Sequence, residues 1–167
     1  IGFSHQILLP QLVEEQYGRG IGLMGLLQSV GAIGGLSGGL FIASRQEVSY
    51  KGRLMLLAAI SYGIALLGFA GANHMWMAFP LIIWIGASQT LFRAGNTATL
   101  MEVSPDRLRG RIISATLLDT ALSPLAGLAA GFAADLWGVS YGYILLSAAC
   151  LSVVAITMLI YPKIKDV

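Results

Sequence analysis

Long apolar runs separated by short charged connections organise the whole chain. Residues 21–44, 54–72, 75–92 and 139–162 contain no Asp, Glu, Lys or Arg, and residues 112–134 contain one, Asp119. Each run is close to the length of roughly 20 residues that carries a helix across hydrocarbon about 30 Å thick, at about 1.5 Å per residue. The run that begins at Met75 continues past Arg93 to about Met101, because AGNTATLM holds no helix stop before the Ser104-Pro105 pair. Strands are not expected, since the runs are continuous and lack two-residue alternation. The chain opens on IGFSHQILLPQLV, residues 1–13, which is shorter than a span and reads as the end of a helix that starts upstream. The pattern therefore predicts an all-α polytopic membrane bundle. It holds one partial helix, 1–13, and five complete ones, at about 21–44, 54–72, 75–101, 112–134 and 139–162. On this reading the sequence is a fragment of a longer protein.

Composition agrees and narrows the class. Hydrophobic residues make up 56% of the chain and charged residues 11%, against about a quarter charged in soluble domains. The net charge of +2 is small and the basic residues cluster in short loops, so no nucleic-acid partner is implied. If the helices alternate in direction, Arg45, Lys51 and Arg53, then Arg107, Arg109 and Arg111, then Lys163 and Lys165 all fall on one side. The other side carries only Arg19, beside Glu14 and Glu15, with Asn73 and His74, and Asp135. The bias of positive charge toward the cytoplasm places the basic loops and the C-terminus inside, in a plasma or inner membrane. There is no phosphate-binding Gly-x-x-x-x-Gly-Lys-Ser/Thr loop, no His-Glu-x-x-His pair and no Cys/His cluster, so no cofactor, metal or ATP hydrolysis is expected. Cys150, alone in an apolar run, reads as packing.

Close approach of helices in lipid depends on small residues, because the solvent itself supplies no hydrophobic drive between them. Gly31, Gly35 and Gly39 recur at four-residue intervals, as do Ser123, Gly127 and Gly131. Both stripes predict tight helix packing. Pro10, Pro80 and Pro124 are expected to bend their helices without ending them.

The polar residues inside these runs are the candidates for function. A charge at a helix centre costs about 2.5–3.5 kcal/mol on insertion scales. Arg93 and Asp119 lie at matching depths on either side of the connection SPDRLRGR, and pairing would offset that cost. Gln89, Arg93, Asn96 and Thr97 share one helical face, which should look toward protein or water. His5, in the partial helix, is a residue that titrates near physiological pH. Gln28 and Trp84 are further candidates for a cavity wall, whereas Trp76 and Trp137 fall where an interfacial aromatic belt is expected. Two readings stay open for Arg93 and Asp119: a structural pair that holds helices together, or a cavity pair that responds to protonation or substrate.

At this point the motifs resemble a family. GGLFIASRQEVSYKGR is similar to the Gly-x-x-x-Asp-Arg-x-Gly-Arg loop of the major facilitator superfamily, with Gly39, Arg45, Gly52 and Arg53 at its elements. Ser44 stands where that motif has aspartate, and extra residues separate Arg45 from Lys51. SPDRLRGR resembles the Pro-Asp-x-x-Arg-Gly-Arg loop of bacterial members, and brings in Arg107, Arg109, Gly110 and Arg111. The order of features matches helices seven to twelve of a twelve-helix transporter, closest to bacterial exporters of the enterobactin-exporter and macrolide-efflux type. The resemblance implies a proton-coupled secondary antiporter that exports small molecules of the drug or siderophore class by alternating access. It also implies a missing N-terminal six-helix half, and a conformational lock at the loop residues just named. From other classes, a membrane-embedded enzyme using Asp119 and His5 and a non-transporting membrane scaffold remain as alternatives.

Overall fold

The computed structural model describes residues 4–18, 21–44, 51–72, 74–103 and 109–160, with side chains at 51, 101–103, 109, 111–113 and 115–122 not described. Six helices follow one another: α1 Ser4–Tyr17, α2 Ile21–Ala43, α3 Lys51–Ala70, α4 Met75–Val103, α5 Arg109–Trp137 and α6 Val139–Ile160. Among the described residues, α2, α6, the Gly52–Ala70 part of α3 and the Met75–Leu100 part of α4 are each long and apolar enough to cross a membrane. The structure is thus a helical bundle of membrane-spanning character.

Several helices run further than the apolar pattern alone suggests. α1 reaches Tyr17, so Glu14 and Glu15 sit in its last turn. α3 starts at Lys51 and α5 at Arg109, which puts Gly52, Arg53, Arg109, Gly110 and Arg111 in first helical turns instead of in loops. The physical reason is that hydropathy marks where hydrocarbon ends, whereas backbone hydrogen bonding continues into the headgroup layer. Pro10, Pro80 and Pro124 all lie inside helices.

Chain direction follows from the contacts. Ser147 Oγ donates to the Gly63 carbonyl at 2.7 Å and Cys150 Sγ to that of Ala59 at 3.7 Å, so α3 and α6 are antiparallel. Ser4 Oγ donates to the Ser123 carbonyl at 2.9 Å and Gln11 Nε2 to Asp135 Oδ1 at 3.3 Å, so α1 and α5 run parallel. The closest helix pair is α2 with α4, which are not neighbours in sequence. A Cβ at Gly34 would meet the Ile83 backbone, one at Gly38 would lie 2.6 Å from the Ala87 carbonyl, and one at Gly86 would meet the Gly31 carbonyl. The tightest register is therefore Gly34 and Gly38; Gly35 and Gly39 instead face the Thr90 side chain. On α5, Gly127 lies against Ile7 of α1, while Gly131 has open space around it.

The core is formed where α1, α3, α4 and α6 meet, around Leu8, Leu12, Leu66, Phe69, Ile85, Tyr143 and Leu146. Tyr143 is fully buried, stands edge-on to Phe69 with centroids 5.2 Å apart, and donates to the His5 carbonyl at 3.1 Å. Outward, α2 shows Ile33, Leu36 and Leu40, and α5 shows Leu125, Leu128 and Phe132. Such continuous apolar surfaces suit lipid or further protein, not water.

One end of the bundle is gathered by polar contacts. Tyr17 Oη donates to the Ala72 carbonyl at 2.6 Å, and Gln16 Nε2 to Ser140 Oγ at 2.9 Å. There α5 passes to α6 through a single residue, Gly138, whose φ is +96°. Gly138 N–H closes the end of α5 on the Ala134 carbonyl at 2.8 Å. Alanine there would hold a conformation that L-residues rarely adopt, with its Cβ 3.3 Å from Glu15 Oε1. Gly138→Ala is expected to lower stability by about 1–3 kcal/mol, read as a shifted unfolding midpoint in detergent. An unchanged midpoint would contradict this role for the turn.

Candidate functional site

A cavity of about 490 Å³ opens between α1, α2 and α4. Each helix contributes polar groups to an otherwise apolar lining: His5 and Gln6 from α1, Gln28 from α2, and Gln89, Thr90 and Arg93 from α4. Leu9, Ile82 and Ile85 supply much of the apolar remainder.

The glycine packing of α2 on α4 explains why the cavity has this shape. Gly31, Gly35 and Gly86 line it as well as forming the helix crossing. With no side chains at these points the backbones meet, and the longer side chains of Gln28, Gln89 and Arg93 are left to border the space above and below. Gln28 and Arg93 are exposed and Gln89 is half-buried, so these polar groups border a space that is open on one side.

His5 is held from two directions. Its side chain is buried, its Nδ1 lies 3.1 Å from the Tyr62 hydroxyl, and the two rings stand edge to face with centroids 6.0 Å apart. Its carbonyl accepts the Tyr143 hydroxyl. Two tyrosines, one from α3 and one from α6, thereby fix both the ring and the backbone of a cavity residue. Which ring nitrogen carries the proton is set by this partner and by the polar cavity on the other side.

His5, Gln28, Gln89 and Arg93 thus meet at one cavity, although they come from three helices and are up to 88 positions apart, from 5 to 93. Trp84 does not line it; the Trp84 indole N–H donates to Ser61 Oγ on α3, which in turn lies 3.1 Å from Ser88 Oγ. Asn96 is half-buried on α4 beyond the cavity lining. The cavity face of α4 runs through Gly86, Gln89, Thr90, Arg93 and Ala94, one edge of the polar stripe. Arg45 and Arg107 lie outside the described residues, as do the side chains of Asp119, Arg109 and Arg111. The pairing of Arg93 with Asp119 therefore also falls outside them; along its described length α5 packs chiefly on α6 and α1. Arg53 is exposed in the first turn of α3, Gly52 is half-buried beside it, and Gly39 lies within α2 against Thr90.

The sequence reading missed Gln6 and Thr90 as lining residues, and Tyr62 and Tyr143 as supports. Gln6 and Thr90 each adjoin a residue that was singled out. The tyrosines carry no such signal, because a hydroxyl in an apolar run looks the same whether it meets lipid headgroups or a buried histidine. Among the described residues no group of three or more His, Cys, Asp or Glu is placed to hold a metal ion.

The chain is similar to a known transporter protein. The chain is 28% identical over 160 residues to a protein of Staphylococcus aureus (strain NCTC 8325 / PS 47) named Staphyloferrin A transporter. The match covers 96% of this chain and 39% of that protein, so the chain spans well under half the length of its relative. No family model matches the chain. No solved structure matches it.

Proposed function

We propose that this chain is the C-terminal six-helix half of a major facilitator superfamily transporter, and that the whole protein moves a siderophore-class small molecule across the cytoplasmic membrane. The observation that carries the reading is the polar cavity between α1, α2 and α4 inside an apolar bundle. A packing defect in a membrane bundle would be lined by apolar groups; four long polar side chains and a histidine from three helices describe a place for a solute. Similarity to a protein named for staphyloferrin A transport along nearly the whole chain supports the solute class. The exposed apolar faces of α2 and α5 would meet the other half of the transporter, with the cavity as one wall of a shared central site.

In the finer reading the protein is a proton-coupled exporter, with the basic loops and the C-terminus in the cytoplasm. His5 and Asp119 are its candidate proton carriers. His5 can exchange a proton with the cavity while Tyr62 holds the other face of its ring, and a change in its charge would alter the α1 contact with α3. Alternating access needs such a contact, one that differs between two packings of the same helices.

The test is flux by the protein from its complete reading frame, reconstituted in proteoliposomes with staphyloferrin A on one side and an imposed pH gradient. Solute movement that follows the gradient and stops with a protonophore is expected. Movement indifferent to the gradient would remove proton coupling, and the absence of siderophore or drug flux from correctly folded protein would remove the transport reading.

A further inference from the structure

A histidine χ2 is broad and roughly two-fold, so the backbone of α1 does not by itself fix which edge of the His5 ring meets the cavity. The contacts to neighbouring helices do. Nδ1 lies 3.1 Å from the Tyr62 hydroxyl, and Tyr62 belongs to α3, none of whose described residues lines the cavity. Nδ1 therefore points away from the space that His5 itself borders, and Nε2, on the opposite edge of the ring, is turned toward it. His5 is 4% exposed and Tyr62 5%, beside a core that holds Leu8, Leu9, Leu66 and Phe69. A half-turn of the ring would exchange the Nδ1 contact for a carbon edge, in a place where a lost hydrogen bond is costly. The second tyrosine acts elsewhere: the Tyr143 hydroxyl, from α6, donates to the His5 carbonyl at 3.1 Å and holds the backbone.

We propose that Tyr62 is a positioning residue for proton exchange. Its hydroxyl oxygen accepts from Nδ1–H, holds the ring in one orientation and one neutral tautomer, and so keeps Nε2 as the nitrogen that takes up and releases protons at the cavity. The proposal deepens the transport reading and rests on it for the choice of tautomer, because only a neutral ring protonated at Nδ1 presents a lone pair at Nε2. A proton from the cavity adds to that lone pair and gives the imidazolium. The same N–H bond breaks on release, and the Nδ1 proton stays with the ring throughout. Among the described residues, the titratable and charged groups that face His5 are Tyr62 from α3, Tyr143 from α6 and Arg93 from α4, which shares the cavity. α2 brings Gln28, and α5 reaches this level of α1 through the Ser123 carbonyl, bonded to Ser4 Oγ at 2.9 Å.

The experiment reads the ring nitrogens by 15N NMR of histidine-labelled protein from its complete reading frame in lipid nanodiscs, with His5 assigned by the signals that His5→Gln removes. Protonated and unprotonated nitrogens of a neutral imidazole have well-separated shifts, so the tautomer is observed directly. The unaltered protein should show His5 in a single neutral tautomer, protonated at Nδ1. Tyr62→Phe keeps the ring in the core and removes the hydroxyl; it should turn the single form into a mixture of both tautomers and lower gradient-driven flux by at least about tenfold. Tyr143→Phe, which removes another buried hydroxyl from the His5 backbone, should leave the tautomer single. An Nε2-protonated or mixed form in the unaltered protein, a Tyr62→Phe protein whose tautomer or flux is unmoved, or the same mixture in Tyr143→Phe would overturn the inference. If Tyr62→Phe does not fold, 3-fluorotyrosine introduced at position 62 keeps the ring and makes its hydroxyl more acidic. It should shift both His5 nitrogen signals, and signals that stay in place would overturn the inference. A tautomer that depends on Tyr62 in a protein that carries no solute would spare the positioning of the ring and sink the transport reading. Siderophore flux beside a tautomer indifferent to Tyr62 would do the reverse.

Discussion

Gly34→Ala should separate α2 from α4 and cost the intact protein about 1–3 kcal/mol or more, the range for forcing atoms into a filled interface. The added methyl group would meet the carbonyl oxygen, carbonyl carbon and Cα of Ile83. These are backbone atoms of a transmembrane helix and have no rotamer through which to yield. Relief would come only from moving one helix away from the other, and that movement would also lift the Gly31 carbonyl off Gly86. Gly25→Ala, on the same helix, supplies the control. Nothing lies within 4 Å of the position its Cβ would take, so the change should be neutral or stabilising by up to about 1 kcal/mol, through helix propensity. A lowered unfolding midpoint in detergent for Gly34→Ala, beside an unchanged or raised one for Gly25→Ala, is the expected result. Equal midpoints would show that α2 and α4 do not cross at Gly34. The same variant should depress substrate binding, because Gln28 would recede from Gln89 and Arg93 as the helices part.

Tyr143→Ala should cost about 3–5 kcal/mol, the range for emptying a large aromatic site that cannot collapse. Tyr143 is fully buried between α1, α3 and α6, and in lipid the loss comes mainly from dispersion contacts and the cavity left behind. Its edge-on contact with Phe69 and its hydrogen bond to the His5 carbonyl disappear together. Tyr143→Phe separates the contributions, since it keeps the ring and removes only the hydroxyl; it should cost about 0.5–1.5 kcal/mol. A Tyr143→Phe loss as large as that of Tyr143→Ala would mean that the hydrogen bond to α1 dominates. In that case hydrogen exchange at the α1 amides should rise in both variants, whereas packing loss alone would spread the change to α3 and α6.

Much of this fold was legible beforehand for a physical reason. A helix in hydrocarbon must satisfy every backbone group within itself, so an unbroken apolar run of the right length has one regular structure open to it. The same argument explains why the helix ends were less legible. Arg53, Arg109 and Glu15 look like loop residues by charge, yet helical hydrogen bonding continues through them into the region where water returns. The glycine stripe shows a different limit. VGAIGGLSGGL offers Gly31, Gly34, Gly35, Gly38 and Gly39, and spacing alone favours 31, 35 and 39 as readily as 34 and 38. Only the angle at which α4 crosses selects Gly34 and Gly38 for the closest contact.

The candidate site was legible as a set of residues and not as a place. His5, Gln28, Gln89 and Arg93 stand out because polar side chains are costly in apolar runs, and that cost is visible in one dimension. Trp84 stood out for its depth alone, and its indole points to Ser61 instead.

By itself the sequence determined that this protein is a bundle of apolar helices, where each begins and ends to within a few residues, and which side chains are too polar to face lipid. Those properties follow from local composition and from the length of hydrocarbon to be crossed. The tertiary structure alone decided that α2 packs on α4 across an intervening helix, that two tyrosines fasten α1 at His5, and that polar residues of three helices converge on one cavity. Such contacts depend on the rotation and crossing angle of whole helices, quantities set by the sum of many weak packing contacts, and no single stretch of sequence encodes them.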